Sequence, residues 1–285
     1  MAEVMANDVL APNLHRLVVR APRIAKARRP GQFVIVRRGE GDERIPLTIA
    51  DADESAGTIT LFIQAIGAST RALVATPVGG HIRDVAGPLG RPTHLENWGR
   101  VACVGGGVGA AVLYPQAKAL AELGNEVHTI IGARSADLVV LEQELGRLSR
   151  AVYVTTEDGS RGRKGLVTDV LRDMLAGALP RPAVVLAVGP VPMMAAVAEL
   201  TRPAGIKTIV SLNPIMIEGT GMCGGCRVTV GGQTKFACVD GPEFDAHEVD
   251  FAGLANRLKT YRRQEDHACR LSVAPVRAAT REGGK

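Results

Sequence analysis

From Arg100 onward the sequence keeps one rhythm, a short β-branched run followed by a longer apolar stretch, and few folds accommodate it. "RVACVGGGVGAAVLYPQAKALAELG" reads as a buried strand, a glycine turn and a helix ending at Gly124. "EVHTIIGARS" is a second strand, "ADLVVLEQELGRL" a helix from Ala136 to Leu148, and "AVYVTTEDGS" a third strand. "GLVTDVLRDMLAG" is helical, "AVVLAVGP" a fourth strand, "VPMMAAVAELTRPAG" a helix and "KTIVSLN" a fifth strand. Strands separated by helices of roughly 10–15 residues are joined by crossovers rather than hairpins, which makes a parallel, doubly wound sheet.

Ahead of Arg100 the pattern is different. "LHRLVVRA" alternates Leu14, Leu17 and Val19 with polar or small residues, and "GQFVIVRR" and "GTITLFIQAIG" are β-rich runs bounded by glycine. Short strands without long helical periods suggest a small antiparallel barrel or sandwich. The expected architecture is an N-terminal antiparallel β-barrel over 1–97 and an α/β doubly wound parallel-sheet domain over 98–213. A cysteine hairpin segment over 214–245 follows, then a short helix and a polar tail over 246–285, its last residues expected to be disordered.

The bulk properties narrow the function. A chain of 285 residues with 46% apolar content can bury two cores. Aromatic residues are 3% of the chain, with Trp98 the one tryptophan, which argues against stacking platforms for single-stranded nucleic acid. The net charge of +5 is scattered apart from the runs Lys26–Arg29 and Arg161–Lys164. Such a balance suits nucleotide phosphates or an acidic partner better than DNA, and either run alone is more often solvated surface. No run of 18 apolar residues marks a membrane span, and "MAEVMANDVLAPNLHRL" lacks the charged start and apolar core of a secretory signal. Five cysteines, three of them clustered, fit a reducing compartment better than a disulfide framework, so a cytoplasmic protein is expected.

The glycine turn "VACVGGGVGAA" sets Gly105, Gly106, Gly107, Val108 and Gly109 between strand and helix. Glycines there let the backbone approach a pyrophosphate while the helix N-terminus supplies N–H donors and its dipole. The spacing is G-x-G-x-G, so the usual dinucleotide fingerprint is not met, and "GARS" (Ala133, Arg134, Ser135) stands where an acidic residue is common. Ligands of such sheets sit at the carboxyl ends of the strands. Loops carrying Glu157, Asp158 and Gly159, and Gly189, Pro190, Met193 and Met194, would converge there; the two methionines taken singly suit a core as well. Arg134 and Ser135 could hold a 2′-phosphate, which keeps NADP(H) open beside NAD(H).

Three cysteines, Cys223, Cys226 and Cys238, stand at a C-x2-C-x11-C spacing. Between the last two, "RVTVGGQTKFA" alternates and turns on Gly231-Gly232, a two-residue hairpin signal. Counting back from that turn pairs Val230 with Gln233 and Arg227 with Phe236, and sets Cys226 beside Cys238 at the open end. The glycine-rich "GTGMCGG" wraps the same end and brings Cys223 to them, so three thiolates are expected to converge. Zinc would need a fourth cysteine or histidine, and His247, His267 and Cys269 lie further along the tail. A [2Fe–2S] cluster on a C-x4-C-x2-C…C run needs a ligand five residues before Cys223, where Glu218 stands. Buried structural thiols are the third reading.

A barrel followed by a glycine-turn domain resembles the ferredoxin–NADP reductase superfamily. The barrel would hold FAD on "RIPLTIAD" (Arg44, Pro46, Leu47, Thr48), "FIQAIGAST" (Phe62, Ile63, Gln64, Gly67, Ser69, Thr70) and "GPLG" (Gly87, Pro88, Leu89, Gly90). Arg44, the hydroxyls and backbone N–H groups suit a flavin pyrophosphate. Pro46 stands where many relatives carry a flavin-stacking tyrosine. "SLNPIMIEGTGMCGGCRVTVGG", "GGGVGAAVLYP" and "VGPVPMM" resemble the small subunits of NADH-dependent ferredoxin:NADP oxidoreductases, also labelled sulfide dehydrogenase small subunits. The electron-transfer subunits of B-type dihydroorotate dehydrogenases are related. There the first cluster ligand is cysteine, and in the ferredoxin:NADP group it is typically aspartate; Glu218 differs from both but keeps a carboxylate.

The resemblance implies a chain that exchanges hydride between NAD(H) and FAD and passes single electrons through a [2Fe–2S] cluster. The electrons would go to or from a larger subunit carrying flavin, [4Fe–4S] clusters and possible bifurcation, and through it ferredoxin or another carrier. No side chain is then needed as acid or base. The competing functions are a dihydroorotate dehydrogenase electron-transfer subunit, a wiring subunit of a complex such as a hydrogenase, and a redox sensor without turnover.

Overall fold

The computed structural model describes residues 1–273. The N-terminal barrel is built from β1 (Ala2–Ala11), β2 (Leu14–Arg20), β3 (Phe33–Arg37), β4 (Ile45–Asp53), β5 (Thr58–Gln64), β6 (His81–Ile82) and β7 (Asp84–Leu89). They pair antiparallel in the order β6-β1-β2-β5-β4-β3-β7, a nearly closed sheet. Alternation drives the closure. Leu17 and Val19 of β2 and Ile59, Leu61 and Ile63 of β5 are fully buried, and they meet Val34, Val36 and Ile49 inside. Each such side chain contributes roughly 1.5–3 kcal/mol on burial.

Several barrel elements were not legible in the sequence, the short β6 and β7 among them. β1 buries only Ala2 and Val4, and its Asn7 and Asp8 break the apolar alternation. It is held instead by its pairing with β2 and by the Asn7 amide, which donates to the Val74 and Thr76 carbonyls at 2.7 and 3.1 Å. Helices α1 (Pro22–Ala27) and α2 (Ala68–Val74) are too short to show a period; α1 opens on a proline and buries Ile24 and Ala25.

The second sheet follows the expected alternation. Its parts are β8 (Arg100–Gly106), α3 (Gly109–Glu122), β9 (Glu126–Ala133), α4 (Glu142–Leu148), β10 (Ala151–Thr156), β11 (Arg163–Lys164), α5 (Val167–Leu175), β12 (Val184–Val188), α6 (Val191–Thr201) and β13 (Lys207–Ser211). A hairpin of β14 (Arg227–Val230) and β15 (Gln233–Phe236) precedes β16 (Glu243–Asp245). The order is β11-β10-β9-β8-β12-β13-β16, parallel except for β16, which pairs antiparallel with β13. The chain runs outward from β8 through β9 and β10, then returns to lay β12 on the other side of β8. That reversal is a topological switch point, and the crevice between the β8 and β12 ends is where such sheets bind ligands. Helices α3 and α4 cover one face around Leu113, Leu120 and Leu145; α5 and α6 cover the other around Leu171, Met174 and Met194.

Two expectations are corrected. The helix anticipated over Ala136–Leu148 is a 3-10 turn, Ala136–Leu138, an extended Val139 and then α4, entered through Leu141 at φ 54°. The β-branched Val139–Val140 pair resists helix, and Val140 and Leu141 are buried as a wedge instead. The C-terminal region holds two helices rather than one, α7 (Phe251–Leu258), capped by Asp250 on the Gly253 N–H at 2.9 Å, and α8 (Arg262–Val273). The edge strands β11 and β16, two and three residues long, are too short for periodicity. The polar tail over 274–285 lies outside the described residues. Among the described residues no helix is long and apolar enough to cross a membrane.

Candidate functional site

The glycine turn sits at the switch point. Gly105 and Gly109 are there for packing: a Cβ on Gly109 would run into the Val188 carbonyl, and one on Gly105 would press on Ala110. Gly107 differs. Its φ is +55° and nothing lies within 4 Å of where a Cβ would stand, so this residue faces open space ahead of α3. Its N–H donates to the Gly132 carbonyl at 2.7 Å, fixing the turn against the end of β9. The Met193 thioether lies over Gly106 and Gly189, closing the two glycine loops on each other, whereas Met194 is fully buried in the core. Val108 is half-buried, and the exposed Pro190 lies against Gly106.

Beside it, the ends of β9 and β10 are stitched together. The Glu157 and Asp158 N–H groups donate to the Ala133 and Arg134 carbonyls at 3.1 and 3.2 Å. Arg134 is exposed. The Ser135 hydroxyl, a candidate for a 2′-phosphate, donates to Asp137, and the Ser160 hydroxyl accepts from Ala136 N–H at 2.8 Å. Ser160 in turn holds the exposed Asp158 carboxyl below its ordinary range through its hydroxyl and its N–H. Gly159, at φ +81°, makes the turn between them. Asp137 and Ser160 were missed in the sequence, since the fingerprint looks for one acid at a fixed offset.

On the barrel, Arg44 and Pro46 are exposed at the start of β4, with Leu47 and Thr48 half-buried. Phe62 and Gln64 flank Ile63, whose side chain points into the barrel core. Gly67 caps α2, and the Thr70 hydroxyl returns to the Gly67 N–H at 3.1 Å. The Ser69 hydroxyl donates to Glu43. Both hydroxyls expected to meet a cofactor are thus partnered inside the protein. A cavity of about 330 Å³ opens between these elements, lined by Arg38, Glu43, Ile45, Ala68, Ser69 and Leu73 among others. Gly87, Pro88, Leu89 and Gly90 end β7 on the other side of β3, with Gly90 at φ +79°.

The cysteine hairpin has the expected register: Val230 opposes Gln233 and Arg227 opposes Phe236. Gly231 and Gly232 both take positive φ, 58° and 72°, as a type I′ turn requires. The Ala237 N–H donates to the Cys226 carbonyl at 3.1 Å, and the two buried thiols of Cys226 and Cys238 meet at 3.1 Å. Burial, then the Cys226 thiol, pushes Cys238 up to about 12. Cys223 is exposed, with its sulfur accepting from Gly225 N–H at 3.4 Å. Glu218 is not gathered with the thiols. Its carboxylate lies 4.0 Å from Arg44 Nη1, a half-exposed pair of about 0–1 kcal/mol. Among the described residues no three His, Cys, Asp or Glu side chains form one metal-sized group. The expected meeting of Cys223 with the other two thiols is therefore not formed: Cys223 stays exposed while Cys226 and Cys238 are buried together.

The loop ahead of the hairpin leans on the barrel. Gly219, at φ +80°, leaves no room for a Cβ against Leu89 and Ile35. The cysteine loop therefore touches the Gly87–Gly90 turn directly, and Glu218 reaches Arg44 across the same seam. Residues 213–250 match the iron–sulfur cluster binding domain of dihydroorotate dehydrogenase B, and residues 103–199 an oxidoreductase NAD-binding domain. A "dihydroorotate dehydrogenase B (NAD(+)), electron transfer subunit homolog" of Thermotoga maritima is 46% identical over 263 residues, 92% of each chain. The chain belongs to the dihydroorotate dehydrogenase B electron transfer subunit family.

The electron transfer subunit itself from Bacillus velezensis is 36% identical over 256 residues, covering 86% of this chain and 96% of the relative. Among solved structures, a chain of the NADH-dependent reduced ferredoxin-NADP oxidoreductase superposes with TM-score 0.89 at 44% identity, over 96% of this chain and 98% of that one. This member of the electron transfer subunit family is an oxidoreductase component whose cofactors are FAD, NAD(H) and a [2Fe–2S] cluster. Its residues leave room for the dinucleotide and the flavin, and bring together two of the ligands a cluster needs. The open left-handed Gly107 leaves a backbone approach for a dinucleotide, and Arg44, exposed ahead of β4, offers a cation to a flavin pyrophosphate. Cys226 and Cys238 form one ready ligand pair, which must lose protons on binding iron.

Proposed function

We propose that this chain is the small subunit of a ferredoxin:NADP oxidoreductase-type complex, moving electrons between NAD(H) and a larger flavin and [4Fe–4S] protein. The observation that carries this reading is the seam where the cysteine loop packs on the barrel, Gly219 on Leu89 and Glu218 beside Arg44, because single electrons need adjacent carriers. FAD bound there would supply the hydride-accepting and one-electron chemistry, and a [2Fe–2S] cluster the single-electron relay. The chain's own residues hold and orient. Gly105–Gly109 and the N-terminus of α3 take the dinucleotide phosphates. Arg44, Thr48 and the Gly67–Thr70 turn take the flavin phosphates, Ser69 and Thr70 by exchanging their present partners. Gly87–Gly90 line the flavin on the side of the cysteine loop. Cys223, Cys226 and Cys238 hold the cluster with Glu218 as the fourth donor, chosen by its place five residues before Cys223.

NAD(H) is preferred over NADP(H) because Asp137 occupies the Ser135 hydroxyl and adds negative charge where a 2′-phosphate would sit. The partner would bind as a heterodimer or higher assembly, in the cytoplasm, and pass electrons on to ferredoxin or another carrier. A dihydroorotate dehydrogenase electron transfer subunit is the second reading, supported by the names of the relatives. Purified chain loaded with FAD and tested for NADH-dependent dye reduction decides the core of the proposal: a chain that binds FAD but never oxidises NADH is not such a subunit. Identifying the protein that co-purifies from the source separates the two complexes.

A further inference from the structure

Four parts of the molecule meet at the end of the cysteine segment. The Arg91 N–H donates to the Gly241 carbonyl at 2.6 Å, its guanidinium to the Val239 carbonyl at 3.3 Å, and it pairs with Asp240 at 3.6 Å. Asp240 accepts from Phe236 N–H at 2.8 Å, which ties the hairpin base into the same knot. On the barrel side, Thr93 N–H donates to the Pro30 carbonyl at 2.9 Å and the Gln32 amide to the Gly90 carbonyl at 2.8 Å. At the centre is Glu243. Its Oε1 accepts from the Thr93 hydroxyl at 2.8 Å and from Gln116 Nε2 at 3.0 Å. Gln116 lies on α3, two turns below the glycine turn, and its own Oε1 is buried with no hydrogen-bond partner. Gly31 is glycine here because a Cβ would strike the Thr93 hydroxyl and crowd Glu243.

Glu243 is five residues past Cys238 and, through Gln116, brings the nucleotide helix into the knot. A buried carboxyl costs several kcal/mol when its partners are removed singly, so such a junction is kept whole or broken as a unit. We propose that Glu243 is a positioning residue that joins α3 to the cysteine hairpin, so that dinucleotide binding at the glycine turn and ordering of the hairpin favour one another. The coupling rests on reading the glycine turn as the nucleotide site. The side chains facing the Glu243 carboxyl, Thr93 on the linker and Gln116 on α3, are neutral, and the charged pair of the knot, Arg91 and Asp240, satisfies itself.

Hydrogen–deuterium exchange on the full chain, loaded with FAD and cluster, with and without NAD+, tests the link. Wild type should show slowed exchange both at the glycine turn (105–113) and at the hairpin (226–238), the latter by about fivefold or more, the lower end of usual coupling. Glu243→Ala should keep the first effect and lose the second, and so should Gln116→Leu, which removes the bond from the α3 side while leaving an apolar core residue. Glu243→Gln, whose amide oxygen still accepts both bonds, should restore the hairpin response. Hairpin protection that persists in folded Glu243→Ala and Gln116→Leu overturns the coupling alone. No NAD+ effect at 105–113 in wild type overturns the nucleotide reading and the coupling with it.

Discussion

Glu218 is the residue on which sequence and structure speak most differently. Its place five residues before Cys223 points to a fourth cluster donor, yet its carboxylate faces Arg44 of the barrel. If it ligates, Glu218→Ala should lose or destabilise the cluster while FAD and NAD+ binding persist. Unchanged visible and EPR spectra in that variant would assign Glu218 to Arg44 instead. Asp137 gives a second residue-scale expectation. With Asp137→Asn, the ratio of kcat/KM for NADPH over NADH should rise by about fivefold, the effect of ~1 kcal/mol between charges near 4 Å in water. A ratio that does not move would take Asp137 out of the discrimination. Residues of this kind were unreadable in advance: Asp137, Ser160, Arg91 and Glu243 act through partners that only the fold brings near. Gly107 and the hairpin glycines were readable because a left-handed turn asks for glycine locally.

At the scale of elements, strands and helices with a full period were legible and the short ones were not. β2, β5, β8 and the β14–β15 hairpin carry their alternation or apolar run in the sequence. β11 and β16 are placed by neighbours, and the Ala136–Leu148 stretch is bent by burial of Val140 and Leu141. The packing of α3 on β12 rests on Gly109, where Gly109→Ala would push a methyl into the Val188 carbonyl. A loss of about 1–3 kcal/mol is expected in chemical denaturation; an unchanged midpoint would mean that the helix can shift freely. The β16 junction adds a pH term. Burial raises the Glu243 carboxyl above its ordinary range, and the Gln116 and Thr93 bonds offset this only in part. Its folded form therefore holds a proton more tightly than the unfolded form. That stability is complete below the unfolded value of about 4.3 and is lost as pH rises through the folded value. Glu243→Gln cannot ionise, so its Tm relative to wild type should climb as pH rises from acid toward neutral. A difference that stays flat with pH would show that folding leaves the proton affinity of Glu243 unchanged.

Over the whole molecule, the barrel and the doubly wound sheet were legible because each has its own hydrophobic rhythm, but their mutual placement was not. That placement rests on side chains from distant positions. Lys118 of α3 reaches Asp51 of β4 at 3.1 Å, Arg28 joins the same carboxylate at 3.2 Å, and Gln116 meets Glu243 one face away. Together they seat the nucleotide helix on the barrel while the cysteine loop covers the Gly87–Gly90 turn. The central claim is that this seating makes one path from dinucleotide through flavin to cluster. Anaerobic titration of the FAD- and cluster-loaded chain with NADH, followed by visible absorption and EPR, tests it most directly. Loss of flavin absorbance together with the EPR signal of a reduced [2Fe–2S] cluster, within a few equivalents of NADH, is the predicted result. A flavin that NADH reduces while the cluster stays oxidised, or a flavin that NADH leaves untouched, would contradict it.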